Sequence, residues 1–161
     1  MIVLKFATEI KGDCDVEGHK EWITLDSLQF GVGRAISTSG VGKDRDTSNP
    51  SFSEVTVTKS MDVASVDLMM QAIAGKSLGD ATIHFIQTGG TDVKQQVYLE
   101  VILKEAIVSS YSVSSGGDRP SESLSINFNG ITMKYDTFGE GKAPVKGQAK
   151  GWNLKANAQL A

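Results

Sequence analysis

The chain is poor in the residues that most chemistry needs. Its 161 residues contain one cysteine, Cys14, and two histidines, His19 and His84. A single cysteine excludes an intramolecular disulfide, so the fold matures without oxidation and suits a reducing compartment. Cys14 sits between Asp13 and Asp15, with no adjacent His or Lys to activate it, and reads as a minor thiol near a turn. There is no basic surplus either. Sixteen Lys and Arg against nineteen Asp and Glu leave a net charge of -3, where a nucleic-acid binder would carry a basic face. Long apolar runs are missing as well, since nothing approaches the ~20 residues of a membrane span. Met1 to Phe6 has too few apolar residues and the wrong charge order for a secretory signal. Any export is expected to use a route that reads no cleavable signal.

Familiar site motifs fail on spacing. Gly31-Val32-Gly33 has Ile36 where a dinucleotide fingerprint needs glycine, and a polar loop follows in place of a helix. Gly42-Lys43 resembles the end of a phosphate loop, but Ser37 and Asp44 occupy its two defining ends. The histidines have no Cys, His or carboxylate at ligand spacing, which gives zinc little support. His84 alternates with Ile83 and Phe85 and reads as a solvent-side strand residue. Glu100 with Glu105 and Asp13 with Asp15 read as solvated charges. No nucleophile–base constellation emerges, so the expectation is a non-enzyme with no cofactor and no metal.

What is present is alternation. Val97, Leu99, Val101 and Leu103 share one side of a strand opposite Tyr98, Glu100 and Lys104. Leu124, Ile126 and Phe128 repeat the pattern against Ser123, Ser125 and Asn127. The turn-forming run from Ser114 to Pro120 lies between them, and the two segments are expected to form one long hairpin. Ile2 to Phe6, Phe52 to Thr58, Ala81 to Gln87 and Trp152 to Leu154 read as further strands. Trp22 to Phe30 changes phase, and a bulge near Asp26-Ser27 would leave Ser27 and Gln29 facing solvent. Asn129-Gly130 allows a hairpin turn or a bulge in a continuous strand, which fit the residues equally well; the family resemblance given below favours the bulge.

One helix is expected over 65–74. Val66, Met69, Met70 and Ile73 recur at helical spacing, with Ser65 as N-cap and Gly75-Lys76 as the stop. Gly31 to Ser51 is long for a connection in a compact domain and carries almost nothing apolar. Asp136 to Lys150 is a second long loop. No repeat or linker divides 1–161, so one domain is expected.

The order of these pieces resembles the haemolysin-coregulated protein (Hcp) family, the tube-forming component of bacterial type VI secretion systems, itself similar to phage tail tube proteins. The likeness runs from Ile10-Lys11-Gly12 and Glu17-Gly18-His19-Lys20 through Val57-Thr58-Lys59-Ser60-Met61-Asp62 and the helix Leu68-Met69-Met70. It continues through Tyr98-Leu99, Leu103-Lys104-Glu105, Val108-Ser109-Ser110, Gly116-Gly117, Arg119-Pro120-Ser121-Glu122 and Gly151-Trp152-Asn153. Leu28-Gln29-Phe30-Gly31 departs from the Ser-Trp-Ser-Trp-Gly of many relatives.

The resemblance implies a mainly β fold, a two-sheet β-barrel with one flanking α-helix and a long extended loop. It also implies homo-hexameric rings that stack into a hollow tube, assembled in the bacterial cytoplasm and then secreted. Its partners would be further copies, the spike and sheath, and small effector proteins in the lumen, with no nucleic acid and no membrane insertion. On this reading Ser27 and Gln29 face the lumen. The polar loop, with Arg34, Gly40, Lys43, Asp44, Arg45 and Asp46, serves ring stacking. The alternative is a monomeric or oligomeric β-barrel module binding a peptide or carbohydrate, which a mass measurement in solution separates from a ring.

Overall fold

The structure, a computed structural model, describes residues 1–37, 46–88, 95–139 and 145–160. The described strands, in chain order, are β1 (Ile2–Phe6), β2 (Ile23–Leu25), β3 (Ser27–Gln29), β4 (Val32–Gly33), β5 (Ile36–Ser37), β6 (Asp46–Thr47), β7 (Ser51–Phe52) and β8 (Val55–Ser60). Helix α1 (Ser65–Ala74) follows, then β9 (Ala81–Thr88), β10 (Gln95–Lys104), β11 (Ile107–Ser114), β12 (Ser121–Asn127), β13 (Gly130–Tyr135), β14 (Lys150–Asn153) and β15 (Ala158–Leu160). A seven-stranded sheet A runs β15-β14-β13-β10-β9-β1-β2, and a four-stranded sheet B runs β11-β12-β8-β3. The ladders are antiparallel, and the two sheets enclose one core as a two-sheet β-barrel with a flanking helix.

The phase changes in the sequence are places where the chain crosses between sheets. At Asp26 the chain leaves β2 in sheet A for β3 in sheet B, and the Asp26 amide donates to the Thr58 carbonyl at 2.8 Å. Each sheet turns its apolar side to the same core, so the crossing must shift parity by one. The chain returns to sheet A through α1, and a second direct crossing, at Glu105-Ala106, joins β10 to β11, with Glu105 at φ 50°. The third, at Phe128-Asn129, joins β12 to β13. This corrects two expectations. The strand from Val97 pairs with β9 and β13 rather than with the strand carrying Leu124, and the hairpin across Ser114 to Pro120 is β11–β12. Strands β12 and β13 lie in different sheets, so Asn129-Gly130 is neither the bulge in one continuous strand that was favoured nor a hairpin turn.

The core joins Leu4, Phe6, Ile23 and Leu25 to Val55, Val57, Ile83, Val101, Leu103, Leu124 and Ile126, with Leu68 of α1 closing it. The helix occupies the expected residues but faces the other way. Ser65 and Leu68 are its buried positions, while Val66 and Ile73 are 67% and 71% exposed and Met69 and Met70 are also exposed. Ser65 is the first helical residue and not the N-cap, which is Ala64 without a side-chain cap. The hydroxyl of Ser65 turns inward instead, for reasons given below. Gly75 ends the helix as expected, left-handed at φ 62°, its amide donating to the Gln71 carbonyl.

A smaller cluster lies on the other face of sheet A. Val3 and Ile86 are covered there by Cys14, Val16 and Trp22 from the loop 11–22. The loop approaches closely at Gly12, where a Cβ would fall 2.3 Å from the Trp22 carbonyl oxygen. The two histidines, read separately from sequence, meet in this cluster. His19 Nε2 lies 2.8 Å from His84 Nδ1, and His84 Nε2 lies 2.8 Å from Glu100 Oε2. His84 is therefore half-buried under the loop and not a plain solvent-side residue.

Candidate functional site

The described groups that ionise or bond strongly are arranged to hold surfaces in place. The deepest is at the base of α1. Lys59 continues the inward alternation Val55, Val57, and Glu122 stands opposite it on β12. Both are essentially fully buried, at 0% and 1% exposure. Lys59 Nζ contacts Glu122 Oε2 at 2.6 Å and Asp62 Oδ1 at 2.7 Å. The Ser65 hydroxyl donates to Glu122 Oε2 at 2.8 Å, and the Tyr111 hydroxyl donates to Glu122 Oε1. Burial pushes the Glu122 carboxyl up, but hydrogen bonds from Lys59, Tyr111 and Ser65 more than reverse that, leaving it below the ordinary range. Burial first, and then the bond to Glu122, push the Tyr111 phenol up to about 12. This satisfied network ties β8, α1, β11 and β12 together; spacing alone could not pair residues so far apart in sequence.

The solvent face of sheet B is mainly uncharged polar side chains, bordered by the carboxylates of Asp26, which accepts from Ser60, and Glu54, which accepts from Ser109 and Asn127. Cross-strand neighbours share a face, so the register defines three rungs. The first is Ser114–Ser121–Ser60, the second Ser112–Ser123–Thr58–Ser27, and the third Ser110–Ser125–Thr56–Gln29. Ser27 and Gln29, expected on the non-core side of their strand, are exposed and end two of these rungs. Ser27 Oγ lies 2.5 Å from Thr58 Oγ1. Leu28 between them packs on the core. The rungs hold neither a formal charge nor a large apolar group. The period-2 serines and threonines carry this signal in the sequence, read there only as alternation.

The segment 31–51 was expected as a loop, and its described part is a paired β-arm. Val32 pairs with Phe52, Gly33 with Ser51, Ile36 with Thr47 and Ser37 with Asp46. Between these ladders the Ser48 hydroxyl accepts from the Ala35 amide at 3.0 Å and the Ser48 amide donates to the Ala35 carbonyl at 3.0 Å. The arm prolongs the β3–β8 pairing, and each step between ladders advances three residues outward and four back. The extra residue on the return side is a bulge. At its flank Asn157, beyond β14, donates through Nδ2 to Asn49 Oδ1 at 2.9 Å. Of the expected stacking residues, Arg34 is exposed on the arm and Asp46 lies in β6. Gly40, Lys43, Asp44 and Arg45 lie outside the described residues.

Among the described residues, exposed apolar side chains gather on two surfaces apart from the arm. One is the α1 stripe with Val63 beside it. The other lies where sheet A outruns sheet B. Met133 and Tyr135 pair with Val101 and Leu99, so they share the core-facing side, yet both are exposed, as is Val145. Phe85, Tyr98 and Tyr135 meet edge to face there. Among the described residues no group of three potential ligands is placed to hold a metal, and no helix is long and apolar enough to cross a membrane.

Comparison with known proteins fits this architecture. The chain is 27% identical to a solved type six secretion system protein, with a TM-score of 0.88 covering 99% of this chain and 98% of the other. Hcp1 from Salmonella typhimurium, at 21% identity and TM-score 0.76 over 99% and 97%, shares the fold. Protein hcp1 of Pseudomonas aeruginosa is 34% identical over 109 residues, 66% of each protein and so just under two thirds of its length. Residues 3–135 match the family model described as type VI secretion system effector, Hcp. The chain belongs to the Hcp family of type VI secretion system proteins.

Proposed function

We propose that the chain is a structural subunit of a type VI secretion tube. Copies close into hexameric rings, the rings stack into a hollow conduit, and the conduit is expelled with small effector proteins in its lumen. The observation that carries this reading is the face of sheet B. A conduit that passes different folded proteins needs a wetted wall with neither strong charge nor apolar grip, and the hydroxyl and amide rungs supply that chemistry. Ser27 and Gln29 are its lumen-side positions.

The two uncovered apolar surfaces support ring closure. A cyclic assembly of identical chains uses two different, complementary patches per subunit, and the α1 stripe and the Met133–Tyr135 overhang are two such patches on different elements. The arm, with Arg34, Gly40, Lys43, Asp44, Arg45 and Asp46, contacts the next ring, and the spike and sheath complete the set of partners. The subunit assembles in the bacterial cytoplasm and leaves with the tube. No catalytic role is proposed.

Light scattering after size exclusion tests the ring, with a mass about six times that of the chain expected. A monomer persisting at high concentration overturns it and favours the binding-module reading. Gln29→Trp tests the lumen: intact rings with altered effector retention are expected. Unchanged retention, with position 29 labelled equally in rings and in free subunits, places that face elsewhere.

A further inference from the structure

We propose that the Glu100–His84–His19 chain is an acid-sensitive latch that holds the loop 11–22 on sheet A, independent of the tube reading. The geometry fixes the protons. A carboxylate only accepts, so His84 Nε2–H donates to Glu100 and leaves His84 Nδ1 as an acceptor. His19 Nε2–H donates to that nitrogen, and His19 Nδ1 then carries no proton. Among the described residues His19 Nδ1 is the buried side-chain polar atom without a hydrogen-bond partner.

Adding one proton to this pair has no comfortable place. Four ring nitrogens would hold three protons. If the vacancy is at His84 Nδ1 or at His19 Nε2, an N–H stands on the buried Nδ1 of His19, where the Glu17 carbonyl is near but makes no formed hydrogen bond. If it is at His19 Nδ1 or at His84 Nε2, two N–H groups point at each other across 2.8 Å. The remedy is for His19 to leave, and His19 is part of the loop. Burial, and next the charge of His84, hold the His19 imidazole below its ordinary range, with the Glu17 carbonyl acting in the opposite direction. The other groups facing the pair are Lys5 of β1, whose Nζ sits 5.9 Å from the Trp22 ring centroid, and Trp22 itself, 4.8 Å from His19 and 4.9 Å from His84 between ring centroids. Asp80 and Thr82 complete the open cavity of about 390 Å³ beside His84 and Glu100. The acidic residues facing the pair are Glu17, Asp80 and Glu100.

Release uncovers Val3 and Ile86, and with them Cys14, which is 4% exposed and the sole cysteine. The protein therefore carries its own reporter. Reaction of Cys14 with 4,4′-dithiodipyridine, divided by its rate in the urea-unfolded chain at the same pH, is expected to rise at least about tenfold from about pH 7.5 to about pH 5. Far-UV circular dichroism should be unchanged over that range. His84→Gln, which keeps a donor and an acceptor but takes up no proton, should flatten the rise. A wild-type Cys14 that stays equally protected at the lower pH overturns the latch. So does a rise that coincides with loss of the whole barrel, or a rise that persists in both His84→Gln and His19→Gln.

Discussion

Lys59 and Glu122 show how much of the fold hangs on two side chains 63 positions apart. Removing one partner strands the other in the core, so Lys59→Met should cost about 3–5 kcal/mol in urea unfolding. The double variant Lys59→Met with Glu122→Leu should recover much of it, since an apolar pair of similar volume replaces both desolvation costs. The acid side follows from the depressed Glu122 carboxyl. Its contribution is complete above the ordinary carboxylate range and is lost as pH falls through the lower folded value. Tyr111 works at the alkaline end. With the folded phenol raised to about 12, its contribution is complete below an ordinary phenol's ~10 and lost as pH rises through the folded value. Thermal unfolding of wild type and Tyr111→Phe should therefore converge above that range. Gly12→Ala should displace the loop 11–22 at a cost of about 1–3 kcal/mol, read by Cys14 reactivity at neutral pH. In sequence Lys59 is only a polar residue interrupting Val55 and Val57. Nothing local names Glu122, because antiparallel neighbours across a sheet leave no trace in spacing, and the His19–His84 contact was hidden because a loop folded over a sheet face leaves none either.

At the scale of elements, the bounds of α1 were legible to the residue and its orientation was not. A helical stripe says where apolar side chains gather, and it is silent on what covers them. Here Leu68 and Ser65 face the barrel while the Val66–Ile73 stripe is exposed. Val66→Ser with Ile73→Ser should thus leave subunit unfolding within about 0.5 kcal/mol of wild type, as surface changes do, while lowering the mass seen by light scattering. A large loss of subunit stability would place the stripe in the core after all. The arm was misread as loop because Gly, Ser, Asn and Pro dominate it, whereas its pairing is made by backbone and by the Ser48 and Ser53 hydroxyls. Phase changes at Asp26-Ser27 and Asn129-Gly130 were visible, but a bulge and a change of sheet produce the same parity shift, and only tertiary pairing separates them.

Across the whole molecule, solvent-facing chemistry is partitioned. Uncharged rungs cover sheet B, exposed apolar side chains gather on α1 and the sheet A overhang, with Val32 and Ile36 on the arm and Val113 on β11 besides, and the arm is propped by Asn157 against Asn49. If the arm stacks rings through its scattered charges, tube length in negative-stain images should shorten as salt rises, because exposed pairs are screened over about 10 Å or less at physiological ionic strength. Replacing 40–46 with a short Gly-Ser linker should preserve ring mass and abolish tubes, since surface loops contribute mainly closure entropy. Normal tubes from that variant would remove the arm from stacking. The three direct strand-to-strand crossings between sheets, beside the longer return through α1, have a mechanical consequence. Sliding one sheet along the other would have to stretch covalent backbone at Asp26, Glu105-Ala106 and Phe128-Asn129, in addition to rupturing hydrogen bonds. A subunit laced in this way resists shear between its sheets far better than two sheets held by packing alone, so under axial load it should yield first at contacts between copies, leaving the individual barrel whole.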